Sequence, residues 1–222
     1  EADWQSLIFK IPTGQYQPGV FQVPGDYPAA SALLAASALV RSKVTITNLF
    51  PEDEQGEKAT LFYLVSMGAD LKYNEEGKEV TINGGGALQA KDFYGNKAID
   101  SVLSMAVVAA IASGTTRFFN IGNLRWKESD RIGDFARELR KVGVNLREHP
   151  EGLEIVGNPG GYQGGVTIDA HQDHRMVMAF SALALCTREG LTIDGAEHVK
   201  KSYPEFFSDL GSLGATVKVL SV

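Results

Sequence analysis

The sequence of 222 residues predicts an α/β fold built from three similar units, and two repeated features lead to this prediction. An aspartate opens an apolar run at three places, 74 and 73 residues apart: Asp26, Asp100 and Asp173. A glycine follows each aspartate after 42, 43 or 41 residues, at a turn from a helical pattern into a strand pattern: Gly68, Gly143 and Gly214. The shared order indicates a repeat of whole supersecondary units rather than a chance match of composition.

Each unit begins with a helix that is apolar on nearly every face. The three runs are residues 29–40, 101–112 and 176–187. A helix of this kind is unstable on a wet surface, so other elements must enclose it. A short strand rich in β-branched and apolar residues is predicted after each run, at residues 43–47, 116–119 and 190–193.

The second helix of each unit is amphipathic, as its middle copy shows. Apolar residues recur there at steps of three and four: Ile132, Phe135, Leu139 and Val142. Charged residues fall largely on the opposite face: Arg137, Glu138, Arg140 and Lys141. Paired strands across tight turns then close the first two units, at residues 71–73 with 79–82 and at 145–147 with 153–156. The predicted unit is therefore of the βαβαββ type, with apolar helices inside and sheets outside.

The continuous repeat favours a single domain over two small ones. Residues 1–19 are predicted to be a linker, because the segment contains the turn signal Gln15-Tyr16-Gln17-Pro18-Gly19. Residues 20–222 form the predicted three-unit domain, whose units span about 20–84, 88–158 and 163–222. The last unit is predicted to end in a strand directly after Gly214.

Composition excludes several classes of protein. The net charge of −6 argues against nucleic acid as the default partner, because binding to a phosphate backbone needs an excess of basic surface. Cys186 is the single cysteine, so an internal disulfide is excluded. The apolar stretch 102–112 is far shorter than the roughly 20 residues that span a bilayer, and no signal peptide is seen. We expect a cytoplasmic monomer that binds no membrane.

A cluster of charges precedes the amphipathic helix of the middle unit. If the helix begins early, Lys127, Glu128 and Arg131 lie on neighbouring positions of one face, and Ser129 or Asp130 can cap it. A helix N-terminus with unpaired N–H groups beside Lys and Arg favours a phosphate or a carboxylate. Ordinary ion pairs at a solvated helix start are the alternative.

The third unit carries a second cluster, with Arg175 at the start of its apolar helix and Lys200 and Lys201 further on. Burial of Arg175 is costly unless an anion or a partner carboxylate meets it. Its neighbours His171, Asp173 and His174 do not predict a metal site, because consecutive side chains at a helix start diverge and no further ligand has a suitable spacing.

Asp100 allows two interpretations. It precedes an apolar helix and follows Ile99, so its carboxylate is placed to be partly desolvated and to act as a general base. Aspartate is also a good helix N-cap, which is the role that Asp26 suggests for this position. The sequence alone leaves both interpretations open.

Three segments carry a resemblance to a known family: residues 123–131, residues 173–176 and residues 201–207. They closely resemble 5-enolpyruvylshikimate-3-phosphate synthase, and Asp100 stands at the matching distance before Asn123. The resemblance covers nearly the whole chain. The related UDP-N-acetylglucosamine enolpyruvyl transferase shares the fold but lacks this Lys-Glu-Ser-Asp-Arg block and depends on a cysteine loop that this sequence does not contain.

The resemblance implies a reaction in which the 5-hydroxyl of shikimate 3-phosphate attacks C2 of phosphoenolpyruvate and phosphate then leaves, without a metal or an organic cofactor. The implied catalytic residues are Asp100, Glu128 and Lys127. Asn123, Lys127 and Asp100 are the implied contacts of shikimate 3-phosphate. Arg131, Arg175 and Lys201 are the implied clamp on phosphoenolpyruvate, where glyphosate also binds in this family; Lys201 is preferred to Lys200 because it directly precedes the Ser-Tyr-Pro run.

The family enzyme has two three-unit domains, and this chain resembles the C-terminal one. We therefore expect the N-terminal domain of the same enzyme as the missing partner, and little or no turnover by this chain alone. Two alternatives stay open. One is a non-catalytic three-repeat interaction module, and the other is an enzyme similar to UDP-N-acetylglucosamine enolpyruvyl transferase.

Overall fold

The computed structural model describes residues 2–3, 5–50 and 52–220, and this part of the chain contains six α-helices and eleven strands. The helices are α1 (Tyr27–Leu39), α2 (Ala59–Ser66), α3 (Val102–Ile111), α4 (Gly133–Val142), α5 (His174–Ala184) and α6 (Phe206–Ser212). The strands are β1 (Ala2–Asp3), β2 (Ile8–Phe9), β3 (Lys43–Ile46), β4 (Asp70–Asn74), β5 (Glu79–Asn83), β6 (Phe93–Tyr94), β7 (Thr115–Phe119), β8 (Asn145–His149), β9 (Gly152–Val156), β10 (Val166–Asp169) and β11 (Leu191–Asp194).

The helices α1, α3 and α5 pack against one another and form the centre of the domain. Nearly all of their residues are buried, which confirms the prediction from their apolar faces. Ser31 of α1 and Ser104 of α3 approach within 3.2 Å between their hydroxyl oxygens. Both serines lie near the starts of their helices, so α1 and α3 begin at the same end of the domain.

The described residues form four sheets, of which the smallest is the antiparallel pair of β1 and β2 within the segment predicted to be a linker. The other three lie outside the central helices. The first has the order β3-β5-β4 and is antiparallel, and the second has the order β6-β7-β9-β8 with a parallel pair at β6 and β7. The third sheet pairs β10 with β11 in parallel. Both predicted hairpins, β4 with β5 and β8 with β9, are present. Among the described residues, no helix is both long and apolar enough to cross a membrane.

Within residues 2–3, 5–50 and 52–220, only the middle unit shows the full predicted order, as β6, α3, β7, α4, β8 and β9. Residues 20–23 form no strand, so the first unit begins with α1. The prediction of a strand after Gly214 was wrong. Gly214 does end a helix in the left-handed conformation, with φ of 105°, but residues 215–220 pair with no strand in the described part of the chain. A strand needs a partner edge, and a local pattern cannot supply one.

Two glycines close the first and second units in the same way. Gly84 follows β5, and a Cβ atom there would lie 1.7 Å from the carbonyl oxygen of Ser37 in α1. Gly157 follows β9, and a Cβ atom there would lie 1.9 Å from the carbonyl oxygen of Ala112, just after α3. The backbone of each sheet therefore touches the end of its central helix at a point where only glycine fits.

The substitution Gly157→Ala is expected to lower the free energy of unfolding by about 1–3 kcal/mol, because the new methyl group forces the sheet away from α3. Urea denaturation measures the change. Gly86→Ala is the matched control, since a Cβ atom at Gly86 meets nothing within 4 Å. Equal stability of the two variants would contradict this account of the contact.

Candidate functional site

The charged junctions of the second and third units meet at a buried ion pair. The guanidinium group of Arg131 donates two hydrogen bonds to Asp173, from Nε to Oδ2 at 2.7 Å and from Nη2 to Oδ1 at 3.0 Å. Arg131 is 2% exposed and Asp173 is fully buried. Burial alone would raise the pKa of the Asp173 carboxyl, but the hydrogen bonds and charge of Arg131 hold it below its usual value.

Asp173 also holds the backbone and a neighbouring hydroxyl group. Its Oδ1 accepts a hydrogen bond from the backbone N–H of Arg175 at 2.8 Å, so it caps α5. Its Oδ2 accepts a hydrogen bond from the hydroxyl of Ser129 at 2.9 Å. Ser129 is therefore not the cap of the following helix, and one carboxylate joins both junctions.

Two further carboxylates complete the surroundings of Arg131. Its Nη1 donates to Oδ1 of Asp100 at 3.0 Å, and its Nη2 donates to Oε2 of Glu128 at 2.9 Å. Lys127 reaches the same oxygen of Asp100 at 3.5 Å. The structure thus brings together the three residues that the resemblance implies to be catalytic, Asp100, Glu128 and Lys127, around the fixed guanidinium group of Arg131.

The structure excludes one of the two interpretations of Asp100, the helix N-cap, and the general base stays a prediction. Asp26 accepts a hydrogen bond from the backbone N–H of Ala29 and caps α1. Asp100 lies in the short 3₁₀ helix Ile99–Ser101, and no side-chain cap is formed at the start of α3. Its carboxylate instead faces Arg131 and Lys127 and is partly exposed. It is therefore free of a capping role and open to a ligand.

Glu128 lies between Arg131 and Lys201. The ammonium group of Lys201 donates a hydrogen bond to Oε1 of Glu128, and this contact joins the 3₁₀ helix Ala196–Lys201 to the middle junction. Partial burial raises the pKa of Glu128, but the hydrogen bond from Lys201 and the charge of Arg131 prevail and lower it to about 2. Glu128 is thus a carboxylate at neutral pH.

Arg175 differs from Arg131 because its charge is not neutralised by direct contact. It is 9% exposed, and its Nε and Nη1 donate no hydrogen bond to any described residue. Burial lowers the pKa of its guanidinium group, while the charges of Asp100, Asp26 and Glu57 oppose that shift. An arginine stays protonated in proteins, so two buried nitrogen donors beside the cluster lack an acceptor among the described residues. This is the arrangement expected of an anion site before its ligand binds.

His174 precedes Arg175 and is also buried, and its Nδ1 makes no hydrogen bond within the described residues. Burial and the positive charge of Arg175 lower the pKa of the imidazole, which favours its neutral form. A neutral imidazole can accept or donate one further hydrogen bond here. In the part of the chain that the structure describes, no group of three or more His, Cys, Asp and Glu residues is arranged to hold a metal ion.

The middle junction is not an early helix start, which corrects that expectation. Residues 122–126 form a 3₁₀ helix, the chain bends at 127–129, and α4 begins only at Gly133. Asp130 caps the start of α4, since its Oδ1 accepts hydrogen bonds from the backbone N–H groups of Ile132 and Gly133 at 3.1 and 2.9 Å. The bend at 127–129, rather than a helical face, brings Lys127 and Glu128 to Arg131.

Among the described residues, no side-chain hydrogen bond or ion pair joins Asn123 or Lys200 to the cluster. Asn123 is exposed on the 3₁₀ helix Gly122–Trp126, four residues before Lys127. Lys200 is exposed beside Lys201, and Lys201 is the one of the two that reaches Glu128.

Sequence reasoning gave no role to Arg125, which fixes the middle junction to the hairpin of β8 and β9. Its guanidinium group donates to Asp130 at 2.8 Å, to Glu148 at 2.9 Å, and to the carbonyl oxygens of Pro150 and His149 at 2.9 and 3.0 Å. Its position inside the charged block was the available signal. The block alone does not show which arginine faces the site and which faces the sheet.

Solved structures place this fold among the enolpyruvyl transferases. The EPSP synthase of Acinetobacter baumannii superposes with a TM-score of 0.82 at 29% identity, over 90% of this chain and 48% of that chain. The enolpyruvyl transferase NikO of Streptomyces tendae shows the same fold, with a TM-score of 0.72 at 21% identity over 88% of this chain and 44% of that chain.

The family model of EPSP synthase (3-phosphoshikimate 1-carboxyvinyltransferase) matches residues 1–210, and the chain belongs to this family. It is 46% identical to the 3-phosphoshikimate 1-carboxyvinyltransferase of Methanocella arvoryzae over 92% of this chain and 47% of the relative. It is 43% identical to that of Deinococcus radiodurans over 92% and 46%. The chain therefore spans about half the length of the curated relatives it matches.

The pKa of Glu128 is expected to rise when Lys201 is replaced by methionine and to stay near 2 when Lys200 is replaced. Of the two lysines, Lys201 is the one that donates to this carboxylate. A carboxyl group whose folded pKa lies below its usual 4.5 stabilises the fold fully above that value, and this stabilisation is lost as the pH falls toward 2. Titration followed by carboxyl ¹³C NMR measures both variants. An unchanged Glu128 pKa in Lys201→Met would contradict the contact.

Proposed function

We propose that this chain forms one wall of the active site of an enzyme that joins phosphoenolpyruvate to shikimate 3-phosphate, giving 5-enolpyruvylshikimate 3-phosphate and phosphate. The observation that carries the proposal is Arg175. Two nitrogen atoms of its buried guanidinium group have no acceptor in the described part of the chain, and they lie beside a cluster of carboxylates and cations. Membership of the EPSP synthase family supports the choice of reaction.

In the proposed reaction Asp100 accepts the proton of the 5-hydroxyl group as its oxygen attacks C2 of phosphoenolpyruvate, and C3 gains a proton from the carboxyl group of Glu128. The proton held by Asp100 leaves later with the phosphate. The tetrahedral intermediate then loses a proton from C3 and releases phosphate. Glu128 is proposed to take that C3 proton. A carboxylate with a pKa of about 2 is a weak base, so this step requires Lys201 to turn from Glu128 toward the ligand, which raises the pKa of Glu128. Lys127 lies beside Asp100, where its positive charge stabilises substrate oxyanions, and Asn123 is proposed to contact shikimate 3-phosphate.

The proposed phosphoenolpyruvate clamp consists of Arg175, Lys201 and Arg131. Arg175 has free donors, and Lys201 is largely exposed and can turn from Glu128 toward a ligand. Most donors of Arg131 are bound to Asp173, Asp100 and Glu128. Arg131 can therefore contact the ligand directly only through its one remaining N–H group, or after Asp100 or Glu128 has been released. We propose that Arg131 also holds these two carboxylates in place.

The charges of the site also support a two-part active site. Four cations face three carboxylates in the cluster: Arg131, Arg175, Lys127 and Lys201 against Asp100, Glu128 and Asp173. This near balance is too small to hold two polyanionic substrates by charge alone. Because the chain spans about half the length of its relatives, we propose that further cations come from the other half, and that the chain alone has little or no turnover.

The substitution Arg175→Gln is expected to weaken binding of phosphoenolpyruvate to the 222-residue chain by roughly 10-fold or more, because charged hydrogen bonds are lost at a buried site. Isothermal titration calorimetry with shikimate 3-phosphate present measures the dissociation constant. Arg117→Gln is the matched control, because Arg117 lies exposed on β7 and pairs with Glu154.

Equal affinities of wild-type chain and Arg175→Gln would contradict the proposed site. Tighter binding of UDP-N-acetylglucosamine than of shikimate 3-phosphate would favour the related transferase, and binding of neither would favour an interaction module. Rapid release of phosphate by the chain alone would refute the need for a second half.

A further inference from the structure

The loop between β10 and α5 has an unfavourable backbone just before the candidate site. His171 and Gln172 are consecutive and both left-handed, with φ of 48° and 56°, a conformation that side chains with a Cβ atom rarely adopt. Asp173 and Arg175 follow directly. Such a conformation persists only where the surrounding structure holds it, and it occurs most often at functional sites.

The side chain that meets this loop from the other side is Glu138 of α4. Glu138 is 1% exposed, although its position in the helical pattern predicted the solvent-facing side. Its Oε2 accepts a hydrogen bond from the backbone N–H of Asp169 at 3.0 Å, two residues before His171. Its Oε1 lies 3.6 Å from Nε2 of His171, so one buried carboxylate contacts the segment that leads into the bend and the first of the two left-handed residues.

Two cations accompany this carboxylate. Lys141 lies 2.6 Å from Oε2 of Glu138, and Nε of Arg137 lies 3.7 Å from its Oε1. Nη2 of Arg137 also lies 3.1 Å from Nε2 of His171. A buried charge is kept only where it is paired and hydrogen-bonded, and Glu138 satisfies both conditions through this loop and its own helix.

Backbone hydrogen bonds connect the left-handed residues His171 and Gln172 to the start of α5. The backbone N–H of Ala170 bonds to the carbonyl oxygen of Asp194 in β11 at 3.0 Å, and that of Asp173 bonds to the carbonyl oxygen of Ala170 at 2.9 Å. The start of α5 is thus fixed by the bend. Any shift of His171 and Gln172 displaces Asp173, and with it the guanidinium group of Arg131.

We propose that Glu138 is a positioning residue of the active site. It touches no reacting group, and it holds His171 and Gln172 in the left-handed conformation that aligns Asp173 and Arg175. The measurement of phosphoenolpyruvate binding rests on the proposed function. The conformation of the loop can be measured without any ligand.

The test compares Glu138→Ala with the double variant Glu138→Ala/Gln172→Gly in the 222-residue chain. Amide hydrogen exchange reports on Asp169 and Asp173, with α3 as the internal reference, and calorimetry reports on phosphoenolpyruvate with shikimate 3-phosphate present. Glu154→Ala is the control, because it removes an exposed carboxylate that pairs with Arg117 on the β7 and β9 sheet.

Glu138→Ala is expected to speed exchange at Asp169 and Asp173 by roughly 10-fold or more, relative to α3, and to weaken phosphoenolpyruvate binding by a similar factor. Glycine adopts the left-handed conformation without cost, so Gln172→Gly is expected to restore most of the affinity and the slow exchange at Asp173. The exchange at Asp169 is expected to stay fast, because its acceptor is still absent.

A purely structural role predicts a different result: exchange rises equally in α3 and the loop, and Gln172→Gly restores nothing. That outcome, or wild-type exchange and affinity in Glu138→Ala, would overturn the proposal. If Glu138→Ala does not fold, Glu138→Gln is tested with the same two readouts and a smaller expected change. If the wild-type chain binds no phosphoenolpyruvate, the proposed function fails, and hydrogen exchange alone decides the role of Glu138.

Discussion

A buried ion pair between Arg131 and Asp173 connects the second unit of the chain to the third, and the geometry of the site depends on it. The two residues are 42 positions apart and are almost completely removed from water. Removing one member of such a pair costs about 3–5 kcal/mol, because the other charge is left buried without a partner. The same Asp173 caps α5 and holds Ser129, so the pair orients both junctions at once.

The pair also determines how charge is distributed over the site. Arg131 donates hydrogen bonds to both Asp100 and Glu128. Its positive charge therefore reduces the repulsion between these two carboxylates. Nε and Nη1 of Arg175 have no hydrogen-bond partner among the described residues. The proposed anion site of this acidic chain depends on that difference, because the arginine that organises the carboxylates is distinct from the arginine with unpaired donors.

The central helices and the two hairpins could be predicted because their signals are local. The runs at 29–40, 101–112 and 176–187 lie within about three residues of α1, α3 and α5 at each end, an ordinary margin for helix boundaries. The prediction of a strand after Gly214 was wrong because the pairing of strands depends on residues that are distant in the sequence. Glu138 was assigned to the polar face of α4, and only the tertiary contact with the loop at His171 explains its burial.

In the site, too, features that are local in the sequence could be predicted and contacts between distant residues could not. The charged block correctly predicted that Lys127, Glu128 and Arg131 lie near one another. The predicted cause, a shared helical face, was wrong, because a bend in the chain brings them together. The contacts of Arg131 with Asp100 and Asp173 cross 31 and 42 residues of sequence, and no periodicity reports such pairs. The sequence also could not separate a cap from a site residue at Asp100, since aspartate serves both purposes.

A double-mutant cycle on Arg131→Met and Asp173→Asn tests most directly whether this pair joins the junctions. The free energy of unfolding is measured for the wild-type chain, both single variants and the double variant. Each single variant is predicted to lose about 3–5 kcal/mol, and the double variant to lose about 2–3 kcal/mol less than the sum of the two. Losses that add to within about 0.5 kcal/mol would contradict the account, because the two side chains would then act independently.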